Sequence, residues 1–61
     1  MYDMVGRAEK IRVLIVDDSF FMKKLLKELL LADKMIDVVG LAKDGEEAVI
    51  KARELKPDVI T

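Results

Sequence analysis

Sixty-one residues bound the molecule to one small domain, which buries only about 60% of the surface its unfolded chain exposes and is marginal without a staple. With no cysteine and no histidine, neither a disulfide nor a histidine–zinc site is available, so self-association is the remaining candidate; a cysteine-free chain also fits a reducing compartment. Eleven basic against twelve acidic residues leave a net charge of −1 without the basic surplus of a nucleic-acid module, no apolar run approaches the ~20 residues of a membrane span, and the expectation is a cytoplasmic protein that binds neither nucleic acid nor membrane.

Residues 1–10 mix charge, a glycine and scattered apolar side chains without period, and read as a flexible lead-in lacking the apolar stretch of a secretory signal. Phasing starts at Ile11. Ile11, Val13, Leu14, Ile15 and Val16 form a β-branched run broken only by Arg12, the pattern of a strand buried on both faces. Asp17 and Asp18 end it.

The period then becomes helical from Ser19 to about Ala32. Phe21, Met22, Leu25, Leu26, Leu29 and Leu30 share one broad face, with Lys23, Lys24, Lys27 and Glu28 opposite. Phe20 and Leu31 fall on the polar side. Asp18 or Ser19 supplies the N-cap, because either side-chain oxygen can accept an orphan backbone N–H.

Asp33 and Lys34 punctuate, and residues 36–41 read as a second strand. Asp44 with Glu47 three residues on has capping-box spacing and opens a second helix, which places Ala48, Val49, Ala52 and Leu55 on one side and Ile50 on the other. Glu47 and Lys51 form a favourable i,i+4 pair. Pro57 ends this helix and biases Lys56 away from helical geometry, and residues 58–61 begin a third strand. Strand, helix, strand, helix, strand at this spacing predicts an α/β fold with parallel strands joined by right-handed crossovers.

The feature with chemical content is Asp17-Asp18 at the carboxyl end of the first strand, where open α/β sheets bind ligands. Two adjacent carboxylates suit a hard divalent cation such as Mg²⁺. The plainer alternative is that one aspartate caps the helix while the other is solvated, and both readings stand at this point. Gly40 and Gly45 form no phosphate-cradling loop, and Ser19 and Thr61 lack an evident base, so catalysis by these residues alone is not expected.

Two stretches, IRVLIVDDSFFMKKLLKELL at 11–30 and VVGLAKDGEEAVIKARELKPDVIT at 38–61, resemble the start of two-component response-regulator receiver domains. The Asp-Asp-Ser-x-Phe-Met start and the closing Pro-Asp-Val-Ile-Thr are most similar to receivers of the chemotaxis protein-glutamate methylesterase branch, with single-domain chemotaxis receivers as the alternative. The resemblance implies a partial flavodoxin-like fold, β-α-β-α-β with strand order 2-1-3, truncated in the third strand over residues 11–61. It implies that Asp17 and Asp18 hold Mg²⁺ beside a phosphoacceptor aspartate expected just after Thr61, with a histidine kinase as partner of the longer protein. On this reading the fragment is no enzyme and is inactive alone. Phe20 and Ile50 depart from the family's pattern, being larger or more apolar than is common there.

Within the 2-1-3 order the third strand is an edge, with unpaired backbone groups flanked by Val59 and Ile60. The expected state is therefore a homodimer or larger assembly in which that edge, Phe20 or Ile50 takes part, and a self-assembling interaction half-domain is the second functional reading. Sedimentation velocity on the 61-residue polypeptide should give more than the monomer mass; a cooperatively melting monomer contradicts the expectation.

Overall fold

The structure, a computed structural model, describes residues 10–61, so of the expected lead-in only Lys10, which is exposed and outside regular structure, can be placed. Five elements follow in the expected order: β1 (Ile11–Val16), α1 (Phe20–Leu31), β2 (Ile36–Ala42), α2 (Gly45–Leu55) and β3 (Val59–Ile60). The strands form one sheet in the order β2-β1-β3, and β1 runs parallel to both neighbours. Each crossover contains a helix, as parallel neighbours require.

The apolar run of β1 is the reason it takes the centre. Val13, Leu14 and Ile15 are at most 4% exposed, which only a strand covered on both faces and paired on both edges achieves. Leu14 and Val16 pack with Ala42, Ala48 and Ala52, so this face of the sheet lies under α2. By the two-residue alternation of a strand, Val13 and Ile15 point to the opposite face. There α1 covers them, resting on β1 and β2.

The pairing of β1 with β2 shifts between Val13, opposite Val38, and Leu14, opposite Gly40. Val39 is therefore an extra residue, and the shift brings Gly40 and Ala42 onto the Leu14 side. Gly40 is needed there. A Cβ on it would lie 2.7 Å from Leu55 Cδ1 and 3.2 Å from Leu14 Cδ1, so its bareness lets the end of α2 close onto the sheet.

Helix packing corrects the expected faces. Helix α1 has no fully buried residue, and its half-buried side is formed by Lys23, Leu26 and Leu30. Lys23 is thus not opposite the sheet, because its long apolar stem can lie along the surface. Phe21 and Leu29, expected to face inward, are 71% and 62% exposed. A helix resting on two strands covers only part of the broad apolar face, leaving Met22 and Leu25 partly covered and Phe21 and Leu29 largely exposed. In α2, Ala48, Ala52 and Leu55 turn inward as expected, but Val49 joins Ile50 outside.

The third strand is held by side chains as much as by its ladder. Its regular part spans two residues, opposite Val13 and Leu14. At its start, Asp58 N–H donates to the Arg12 carbonyl at 2.8 Å and Arg12 N–H donates to Asp58 Oδ2 at 2.9 Å. The Arg12 guanidinium donates to the Lys56 carbonyl at 3.0 Å. Lys56 ends α2 in the left-handed region, φ 49°, a departure from right-handed helical geometry at the residue before Pro57, though not the extended backbone that a following proline favours. Arg12, the one charge in an apolar strand, therefore fastens the α2–β3 corner. Replacing Asp58 with Ala should lower stability by about 1 kcal/mol in urea denaturation, since it strips the acceptor from the Arg12 N–H, while Asp58→Asn should cost less. An unchanged midpoint in Asp58→Ala would contradict this role.

Candidate functional site

The carboxyl rim of the sheet is built by the residues that leave β1. Asp17 N–H donates to the Ala42 carbonyl at 3.0 Å, so the ladder with β2 continues one residue past the strand and carries Asp17 to the mouth. There the chain turns. Asp17 Oδ1 accepts from Ser19 N–H at 2.8 Å, an Asx-type turn that fixes the carboxylate and leaves it half-buried. Ser19 Oγ in turn accepts from Met22 N–H at 3.2 Å and caps α1.

The helix cap is Ser19, so neither aspartate is used as the N-cap. Asp17 is oriented at the sheet end, and Asp18, the next residue, is exposed to solvent. The acid pair thus stands where a ligand can reach it, with one member preset and the other free to adjust.

The neighbouring strand ends complete the rim. On the β2 side, Asp44 Oδ1 accepts from Glu47 N–H at 2.9 Å, and Glu47 Oε1 accepts from Lys43 N–H at 3.0 Å. The capping box is present, but the glutamate bonds one residue earlier than the N-cap. Lys51 Nζ donates to the Leu41 carbonyl and lies 3.6 Å from Glu47 Oε1, as the i,i+4 spacing implied. Asp44 and Glu47 are therefore engaged in holding the β2–α2 corner. On the β3 side, Thr61 N–H donates to the Leu14 carbonyl at 3.1 Å, and Thr61 Oγ1 accepts from Val16 N–H at 3.4 Å. Thr61 thus reaches the same rim as Asp17.

Chemically the rim offers oxygen donors and no imidazole or thiolate. Among the described residues no cluster of three or more acidic, histidine or cysteine side chains could hold a metal. Two carboxylates remain, and they fit Mg²⁺ in particular, which uses one or two protein carboxylates and keeps several waters. Ser19 has its hydroxyl committed to the cap. Arg12 and Lys51 brace corners of the fold that hydrophobic periodicity does not reveal; for Arg12 the signal is a lone charge inside an apolar strand.

A second surface feature lies away from the rim. Ala48, Val49, Ala52, Arg53 and Ile60 line an open apolar groove of about 290 Å³ between α2 and β3. No described helix is long and apolar enough to cross a membrane.

No family model matches the sequence. The chain is 61% identical over 51 residues to a protein-glutamate methylesterase/protein-glutamine glutaminase of Syntrophomonas wolfei, covering 84% of this chain and 14% of that protein. It is 54% identical over all 61 residues to the protein of the same name in Symbiobacterium thermophilum, covering 16% of it. The chain therefore spans about one-seventh of the length of these relatives. Among solved structures, the response regulator domain of Thermotoga maritima CheB superposes with a TM-score of 0.83 at 60% identity, over 85% of this chain and 39% of that one.

Ser19→Ala should destabilise the fold by about 1 kcal/mol in urea denaturation through loss of the α1 cap, and Ser19→Thr should restore most of it. An alanine variant as stable as the parent would mean that the cap bond carries no weight.

Proposed function

We propose that Asp17 and Asp18 are the Mg²⁺-holding acids of this chain, which belongs to the response-regulator receiver family and is most like the receivers of the chemotaxis protein-glutamate methylesterases. The observation that carries the reading is the Asx turn. Asp17 is held at the rim by the Ser19 N–H, which its Oδ1 accepts, while Ser19 itself takes the cap, so neither carboxylate is spent as the helix cap. When bound, the cation would neutralise charge on an incoming phosphoryl oxygen.

The chain's own residues bind and orient in this scheme. Asp17 supplies a fixed oxygen, Asp18 a mobile one, and the two parallel neighbours of β1 hold the surrounding rim. For a longer protein of this type we propose a phosphorelay receiver in chemotaxis, a protein-glutamate methylesterase as the parent, a histidine kinase as the partner and the cytoplasm as the compartment. A single-domain chemotaxis receiver has less support, since the relatives named above are methylesterases.

A second reading, a self-assembling homodimer or larger interaction module, is favoured by a separate observation. Strand β3 lies at a sheet edge with Val59 and Ile60 about half exposed, beside the apolar groove that Ile60 helps to line. The two readings are compatible in one polypeptide.

Titration with Mg²⁺ into the millimolar range, followed by backbone amide NMR, tests the first reading. Saturable shifts should centre on Asp17 and Asp18 and vanish in Asp17→Asn. Silence at those amides, or an equal response in Asp17→Asn, would remove the assignment.

A further inference from the structure

We propose that two copies of this chain pair through the stripe Phe21–Leu25–Leu29 of α1, with the helices antiparallel and Lys24 of each copy facing Glu28 of the other. The inference deepens the self-association reading above, rests on it, and assigns the contact to a surface other than the β3 edge.

Residues at i, i+4 and i+8 lie in one row along a helix. In α1 this row is Phe21, Leu25 and Leu29, at 71%, 39% and 62% exposure, while the half-buried side of the helix already lies on the sheet through Lys23, Leu26 and Leu30. The row is thus a separate apolar surface on a rigid twelve-residue helix. Packing between helices needs such a row, with charges beside it to fix orientation.

The flanking charges select the occupant. Lys24 and Glu28 lie four residues apart on the same flank of the row, both are exposed, and no ion pair engages either among the described residues. A two-fold axis through Leu25 places Phe21 against Leu29 of the other copy and Leu25 against itself. It also brings Lys24 opposite Glu28 of the other copy, offset by about 3 Å along the axis, which a lysine side chain spans. The contact forms twice by symmetry. A parallel pairing in the same register provides no such match, because equivalent residues then stand at equal heights. The surface is self-complementary in the antiparallel sense, and a second copy of this chain is the partner it fits.

Sedimentation equilibrium on the 61-residue polypeptide and its variants tests this. Lys24→Glu and Glu28→Lys should each dimerise roughly tenfold more weakly than the parent, since each places like charges across the axis twice. An equimolar mixture of the two variants should recover association, because the mixed pair carries two acids against two lysines. The i,i+4 contact inside each helix is the same in the mixture as in the separate variants, so it cannot produce that recovery. Leu25→Asp should abolish the dimer while far-UV circular dichroism stays at the parent's helix content. A mixture that associates no better than either variant overturns the proposed surface yet leaves self-association through the β3 edge standing. A parent that is monomeric at every concentration overturns both.

Discussion

Parallel pairing of β1 on both of its edges is the constraint from which the other features follow. The strand's apolar run is tolerable only where two faces and two edges are covered, and the chain meets that demand by sending a helix over each face and a strand along each edge. Since the strands are parallel, all three carboxyl ends arrive at one rim. Asp17 is the residue that β1 delivers there, one step past its last strand position and still bonded to Ala42. The position of the acid pair is thus a consequence of topology. The local Asx turn only sets its direction.

Opposite that rim, charge is used for fastening. Arg12 interrupts the apolar strand, and its backbone and guanidinium join β1 to Asp58 and to the Lys56 carbonyl. Lys51 plays the matching part near the β2 end, between Glu47 and the Leu41 carbonyl. These braces matter because the core is small: the fully buried large side chains are Leu14 and Ile15. A fold with so little enclosed apolar volume leans on corner hydrogen bonds and on covering its remaining apolar surface.

Element order and strand direction were legible in the residues, because each rests on a local signal, whereas the sheet order came from the resemblance to receiver sequences. The unbroken apolar run named β1, Asp44 with Glu47 named the start of α2, and Pro57 named its end. The two candidate acids stood out as carboxylates at a strand terminus, and the resemblance to receiver sequences supplied their proposed role. What stayed hidden was which apolar residues the sheet reaches. Periodicity placed Phe21, Leu25, Leu29 and Val49 on apolar faces, but a face is a direction and burial depends on what lies across from it. The bulge at Val39, next to the Gly40 that admits Leu55, was likewise invisible, since no local pattern marks it.

Parallel strands bring the ends of β1, β2 and β3 to a single mouth, where the acid pair is proposed to take a hard cation. Paramagnetic relaxation by Mn²⁺, which shares the oxygen-ligand preference of Mg²⁺, measures this directly. Selective broadening is expected for the amide signals of Asp17, Asp18, Lys43 and Thr61, with Arg12, Ile36 and Asp58 at the far end left sharp. Broadening centred on Glu46 and Glu54, or spread evenly over the exposed acids, would contradict it.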